Sequence, residues 1–385
     1  MRILFINSIF PNSIEPNKGN FIVKNIAAYP LEIDVRVVAP TPFFLNIKRK
    51  SGKISIPYHE VISIGNRLVK VHRPRFILLP RNILQPFVPL FEYLFIRRTI
   101  RRISKTWNPD IIHANFASPD GVAAALIAKE LHIPLLVTEH QGTLEKFLAK
   151  PILKHLMLWA YSKAKRVICV SDFSANIIRK ANLKLDNICV IPNGVDFSRF
   201  QLRCKKPCPR KLIYIGYLIP DKGVHILILA LALLKAKGID FSLSIIGNGI
   251  CLADLQEQSK RLDLSGSVSF LGEKSALEVA ALLPQHDIMV HPSFIESFGI
   301  VMVEALAAGL PVVSTFNGGA EDIICPEVGT LVEVNNAKAL AEGIELVLDN
   351  WDSYQPEAIR DYAAARFAME TVAMKTIQVY KEVLS

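Results

Sequence analysis

The sequence predicts an α/β protein of two units, each a parallel sheet flanked by helices. Three observations carry this. The chain has 385 residues, room for two hydrophobic cores at roughly 100–200 residues per domain. Short apolar runs alternate with longer amphipathic stretches, the pattern of repeated strand–helix units. The alternation halts once, at the polar, Cys- and Lys-rich stretch FSRFQLRCKKPCPRK (197–211), and then restarts.

In the first half, the runs 2–7, 34–39, 110–114, 134–138, 166–170 and 188–192 read as buried parallel strands, with helices between them at 120–131 and 151–164. After 197–211 come strands at 211–216, 241–247, 267–272, 287–292, 311–315 and 329–334. Helices fit at 223–237, 251–263, 275–283, 302–308 and 336–348. The stretch 361–385 is helix-like, with Phe367, Val372, Ile377 and Tyr380 among its apolar members. In such sheets ligands bind beyond the carboxyl ends of the strands, where strand order reverses.

Composition excludes several classes. Hydrophobic residues make up 51% and charged residues 21%, so the chain is globular and not disordered. Six cysteines in this length do not make a disulfide scaffold, and Cys204 and Cys208, four apart, have no His-rich partner for zinc. The start, MRILFINSIFPN, lacks the features of a signal peptide. No run of about 18 apolar residues occurs, so no membrane span is expected. Reduced cysteines and these absences predict a cytoplasmic protein. The net charge of +10 is unevenly spread. Residues 1–196 hold 28 basic and 13 acidic groups, and the remainder hold 17 and 22. The first half therefore asks for an anionic partner: a lipid surface, an acidic acceptor or nucleic acid, the last lacking any recognition motif.

The most informative segment is HPSFIESFGIVMVEALAAGLPVVST (291–315). A strand ends, a loop carries Glu296, Phe298-Gly299-Ile300 opens a helix, and Glu304 follows Glu296 by eight residues. Main-chain N–H groups at a helix start form a phosphate site, and Gly299 allows close approach. An acid one turn into that helix can hold a ribose diol, and an acid on the loop can accept from sugar hydroxyls. Two such residues alone read equally as solvated helix-terminus acids; the flanking loop, SFG and GLPVV, decide for a site.

This segment resembles the signature of glycosyltransferase family 4, retaining enzymes of the glycosyl transferases group 1 type with the GT-B fold: two Rossmann-like domains facing across a cleft. The resemblance implies that Glu296 contacts the sugar, that Phe298, Gly299, Ile300 and Val301 meet diphosphate and sugar through their main chain, and that Glu304 holds the ribose. YIGYLIPDKG (214–223) is similar to the family's Gly-Arg-Leu…Lys-Gly loop, giving Gly216 a close approach and Lys222 the diphosphate. Tyr217 stands where the family has Arg, which removes a cation from the pyrophosphate cradle. SIIGNGI (244–250) matches the next strand–loop, with Gly247 and Gly249. In the first half, Gly19 takes the place of a glycine near the donor phosphates and acceptor, and His140 in TEHQG matches a histidine near the anomeric carbon. His113, in DIIHAN, is left open between site and core. The implied domains are 1–196, acceptor-binding, and 197–365, donor-binding, with the last helix, 366–385, crossing back onto the first and 193–196 as hinge.

The implied reaction is metal-independent transfer, with retention, from a nucleoside-diphosphate sugar to a glycan or lipid-linked acceptor of cell-envelope polysaccharide or glycolipid. UDP is expected ahead of GDP, on the family's prevalence. No Asp-x-Asp pair occurs to hold a divalent ion, and no cofactor is expected. The segment from Arg67 to Arg102 places Leu84, Phe87, Val88, Phe91, Leu94 and Phe95 at helical spacing between basic flanks. That suits an interfacial helix on the inner face of the membrane or, equally, a core helix with a solvated basic end. A nucleotide-sugar 2-epimerase of the same fold and an inactive donor-binding scaffold are the rival readings.

Overall fold

The structure is a computed structural model describing residues 1–16, 18–44, 56–78, 85–204 and 210–385. Cys208, Arg81, Leu84 and the middle of the linker stretch lie outside the described residues. The chain divides into two compact units, Met1–Gly194 with Val372–Ser385, and Val195–Thr371.

The first unit runs β1 (Arg2–Ile6), α1 (Asn20–Ala27), β2 (Asp34–Val38), β3 (Thr41–Phe44), β4 (His59–Ile64), β5 (Arg67–His72), β6 (Arg75–Leu78) and α2 (Val88–Trp107). It continues with β7 (Ile111–Asn115), α3 (Val122–Leu131), β8 (Leu135–Glu139), α4 (Leu144–Leu148), α5 (Pro151–Lys163), β9 (Arg166–Cys169), α6 (Asp172–Ala181) and β10 (Ile188–Val190). Its main sheet has the order β10-β9-β8-β7-β1-β2-β5-β4, and β3 pairs separately with β6. Every pairing in the main sheet is parallel except β4 with β5. Side chains alternate across β1: Leu4 and Ile6 join a core with Ile96, Ile100, Ile127 and Met157, while Ile3 and Phe5 join one with Ile22, Ile26, Ile377 and Tyr380. The sheet is thus covered on both faces, which is why its central strands are apolar throughout.

The second unit runs β11 (Lys211–Ile215), α7 (Val224–Ala236), β12 (Ser242–Ile246), α8 (Leu252–Arg261), β13 (Val268–Phe270), α9 (Ala276–Leu282), β14 (Ile288–His291), α10 (Ile300–Ala307), β15 (Val312–Thr315), β16 (Gly329–Val332), α11 (Ala337–Asp349) and α12 (Pro356–Phe367). Its sheet, β13-β12-β11-β14-β15-β16, is parallel throughout, the doubly wound Rossmann order. The helix-like stretch 361–385 is two helices: α12 ends at Phe367 and is capped by Ala368, whose ψ of 142° is extended, and α13 (Met369–Leu384) begins after it. Arg360 anchors α12, donating to the carbonyls of Phe197, Phe200 and Ala307 at 2.7–2.9 Å.

Every strand expected in either half is present. The additions are β3–β6, one of them antiparallel, and three helices, α1, α4 and α6, with α2 running on to Trp107.

Candidate active site

Strand order in the second unit reverses between β11 and β14, and the loops leaving these two strands carry Lys222 and Glu296. The Lys222 ammonium lies 2.5 Å from Glu296 Oε1. The His291 ring Nε2 lies 2.9 Å from the same oxygen, and Ser293 Oγ lies 3.1 Å from that nitrogen. Burial alone would raise the Glu296 pKa; the His291 hydrogen bond and charge and the Lys222 ammonium outweigh it and hold the group down to about 2. Glu296 is therefore a fixed anion at any physiological pH. Its main chain is fixed as well, its N–H donating to Asn317 O at 2.8 Å.

The supporting loops interlock. Phe294 N–H donates to Asp221 O at 2.8 Å, tying the β14 loop to the β11 loop. Leu218 N–H donates to Asn248 O at 2.9 Å, tying the β11 loop to the β12 loop. At Gly247, φ is 142° and an added Cβ would stand 1.9 Å from Gly216 O. Only glycine at 247 lets the β12 loop close onto the Gly216 carbonyl. Gly299 caps α10 in the left-handed region, at φ 85°, turning the chain so that the helix starts directly after the Glu296 loop. The first N–H groups of that helix, from Ile300 and Val301, lack intrahelical acceptors. The Phe298 side chain is buried against Phe367, ring centroids 5.9 Å apart, so only its backbone is on the loop side of α10 for a ligand to meet. Glu304 sits half-buried in the second turn of α10. Tyr217 is 71% exposed, a neutral side chain at the mouth of the β11 loop.

The first unit reverses strand order between β1 and β7. Its chemistry there is different. Asn7 Oδ1 accepts from Asn115 N–H at 3.2 Å, and Ser8 donates to Asp120 through its N–H at 2.9 Å and its hydroxyl at 3.0 Å. Asp120 is itself buried beside Glu92, whose carboxyl meets no donor group. Burial and the neighbouring carboxyl push the Glu92 pKa well up, and burial raises Asp120 too, so the two share a proton. Gly19 lies at the start of α1, across the loop from β1.

His140 follows β8. Its Nε2 lies 2.9 Å from Asn115 Oδ1, and its ring packs between Phe21 and Phe116 at 4.6 and 5.4 Å. Burial lowers its pKa to about 3, so the imidazole is neutral. The preceding residue, Glu139, holds the turn: it accepts from Tyr161 OH at 2.6 Å, Ala117 N–H at 3.1 Å and Gln141 N–H at 2.8 Å. His113 belongs to the core instead. Its Nδ1 lies 2.6 Å from Tyr380 OH and its Nε2 2.7 Å from Thr138 Oγ1, so both ring nitrogens are occupied.

Sequence reasoning missed His291, Asp120, Glu139 and Asn115. His291 stood inside the singled-out segment, and its position one residue before Pro292 at a strand end was the available signal. The buried carboxyls had none, since their roles depend on contacts across 22 residues and more. Among the described residues no three His, Cys, Asp or Glu side chains converge as metal ligands.

Two α/β units, one with a cation–carboxylate pair close to a helix N-terminus at its switch point, define the architecture. The comparisons name the family. Residues 198–366 match Glycosyl transferases group 1, and residues 31–199 match Glycosyltransferase Family 4. A glycogen synthase of Mycobacterium tuberculosis is 30% identical over 292 residues, covering 72% of this chain and 69% of the relative. The glycosyltransferase TuaC of Bacillus subtilis, whose name ties it to teichuronic acid biosynthesis, is 26% identical over 377 residues, covering 89% and 88%. Among solved structures, Anabaena Alr3699/HepE in complex with UDP superposes with a TM-score of 0.74 at 21% identity, covering 99% of this chain and 100% of that one. Sucrose-phosphate synthase from Thermosynechococcus elongatus gives 0.74 at 20% identity, covering 100% and 99%. The chain belongs to the glycosyl transferases group 1 family, with a family 4 first domain, and is a GT-B glycosyltransferase.

Proposed function

We propose that the protein transfers a sugar from a nucleoside diphosphate, UDP ahead of GDP, to a hydroxyl of a glycan or lipid-linked acceptor in cell-envelope polysaccharide or glycolipid synthesis. The observation that carries this is the Lys222–Glu296–His291 constellation at the β11/β14 switch point, next to the N-terminus of α10. The complex of a neighbour with UDP and the polysaccharide context of TuaC support it.

In this reading the diphosphate faces Lys222 and the N–H groups of Phe298, Gly299, Ile300 and Val301, with Gly216 and Gly247 keeping the floor clear. Glu304 takes the ribose diol and Glu296 the sugar hydroxyls. As the anomeric C–O bond to phosphate breaks, charge develops on the leaving oxygen, and donors already in place stabilise it. The acceptor oxygen bonds to the anomeric carbon from the same face, and its proton passes to the departing phosphate. Configuration is retained and no enzymic nucleophile is required. Lys222 and the helix amides supply the positive potential, so no metal is required. His140, neutral by burial, and Gly19 are the first unit's contributions.

The acceptor falls to the first unit, which carries the basic excess. On α2 the core face is Ile96, Ile100, Ile103 and Trp107, while Phe87 before the helix and Leu94 and Phe95 on it are 37%, 53% and 40% exposed, near exposed Arg98, Arg101 and Arg102. This apolar stripe with basic neighbours fits an anionic membrane surface. Among the described residues no helix is long and apolar enough to cross a membrane. Flotation with anionic vesicles at low salt tests the contact; recovery only in the soluble fraction removes it.

A thermal-shift panel of UDP-, GDP-, ADP- and dTDP-sugars in the presence of a chelator tests the donor site. One donor raises Tm by mass action, and Glu304→Ala abolishes the rise. A shift that needs a divalent ion, or no shift with any donor, overturns the reading. Labelled donor then separates transfer from isomerisation to a 2-epimer and from the inert scaffold that Tyr217 alone favours.

A further inference from the structure

Away from both switch points, the first unit contains a cavity of about 210 Å³ between α2 and the β2, β4 and β5 strands. Arg36 lines it from β2, His59 and the preceding Tyr58 from β4, His72 from β5, and Thr99 and Arg102 from α2. Among the described residues no carboxylate lines it.

The polar groups are arranged and not merely clustered. The two histidines meet through their Nδ1 atoms at 2.8 Å. That contact occupies Nδ1 of His72 and leaves its Nε2 buried with no hydrogen-bond partner. Tyr58 OH and Thr99 Oγ1 bond to each other at 2.7 Å. Arg36 is held by stacking over Trp107, guanidinium to ring 4.6 Å, and Trp107 in turn donates through Nε1 to Asp34. A stacked guanidinium keeps its edge donors in a fixed direction. Neither Arg36 nor Arg102 has an ion-pair partner among the described residues, whereas Arg97 and Arg101 on the same helix share Glu130. Burial first, and then the charges of His59, Arg36 and Lys70, push the His72 pKa down to about 4. The cavity therefore sets two guanidiniums, Arg36 and Arg102, beside a neutral His72 whose Nε2 has no partner.

We propose that this cavity is a second ligand site, taking a phosphate-class oxyanion between Arg36, Arg102 and the His59–His72 pair. A tetrahedral oxyanion offers acceptors for two guanidinium edges and for the His72 Nε2–H at once, with Thr99 and Tyr58 hydroxyls beside them. This accounts for part of the basic excess of residues 1–196 by one defined site. It does not rest on the donor-site reading.

The test uses the full chain without any nucleotide, and reads the two histidines of the cavity directly. Selectively labelled histidine imidazoles are followed by NMR while inorganic phosphate is added. In a parallel arm, phosphatidylcholine vesicles with and without phosphatidic acid replace free phosphate. His59 and His72 resonances move and saturate, and Arg102→Gln weakens the effect at least tenfold. Lys184→Gln, an exposed lysine of the same unit, leaves it unchanged. Saturation with free phosphate identifies a soluble anion, and a response to phosphatidic acid alone identifies a lipid headgroup; either supports the site. Resonances unmoved in both arms, or an Arg102→Gln effect no larger than that of Lys184→Gln, overturns it. Arg36→Gln loosens the Trp107 stack as well, so Arg102→Gln, on the exposed face of α2, is the decisive variant.

Discussion

The two switch points make an instructive pair, because the same doubly wound topology is filled with opposite electrostatics. In the second unit a carboxylate is paired with an ammonium and a histidine and is held ionised. In the first unit a carboxyl is paired with another carboxyl and shares its proton. One pair keeps a carboxylate charged at a strand-order reversal, and the other secures a loop by hydrogen bonds from Ser8. Topology locates a ligand site, and the partner of the buried acid decides whether that site is charged.

The largest test of this contrast is removal of charge from the second unit. Lys222→Ala or Glu296→Gln should cost roughly 10²–10³-fold in kcat. Glu296 remains a carboxylate down to about pH 2. Its contribution to stability is present above about pH 4.5 and is lost only as pH falls toward 2, so the kcat ratio of wild type to Glu296→Gln should be flat from pH 5 to 8. A ratio that changes across that range would show that Glu296 titrates there and would end the contrast.

Next in size is packing between loops. Gly247→Ala forces a Cβ onto the Gly216 carbonyl at a positive φ and should cost about 1–3 kcal/mol or more. Hydrogen exchange would show faster opening of the second unit, strongest in 212–218 and 243–250. Equal protection in mutant and wild type would mean that the loops are not interlocked as described.

Tyr380→Phe acts on the first unit. It strips His113 Nδ1 and Tyr29 OH of a buried partner, at a cost of about 1–3 kcal/mol. Denaturant unfolding measures it, and an unchanged midpoint would count against His113 as a core residue.

Smallest is Glu92→Gln, which should change kcat less than about twofold. Carboxyls whose pKa is raised in the folded state stabilise fully below about pH 4 and lose that stabilisation as pH climbs through the folded value. The variant, free of that loss, should gain stability relative to wild type as pH increases from 4.5 to 8. A constant difference over that range would mean that no proton is shared.

Much of this was legible in the sequence, for reasons particular to each element. β7 and β8 are buried at every position, so their apolar runs announced them. β4 was not seen because its strict alternation of exposure is not one of polarity: Val61 faces solvent while Glu60 is half-buried, as an edge strand allows. α6, which starts six residues after the start of β9, was hidden by its polar face of Asn176, Arg179 and Lys180. In the site, Glu296, Gly299 and Glu304 are close in sequence and travel as one motif. Lys222 is 74 residues from Glu296, and only the resemblance joined them. The proton-sharing pair and the cavity of Arg36, His72 and Arg102 draw on three or more distant strands and helices, which no local pattern encodes.

The C-terminal segment sets an order of events for biosynthesis. Val372, Ala373, Ile377, Val379 and Tyr380 complete the core that contains β1 and α1, yet they are translated after the whole of Val195–Thr371. The second unit is contiguous and can close while still near the ribosome; the first must wait with one face of its sheet uncovered. A nascent chain stalled before Val372 would thus expose Ile3, Phe5 and Ile26, a surface that chaperones bind and proteases find.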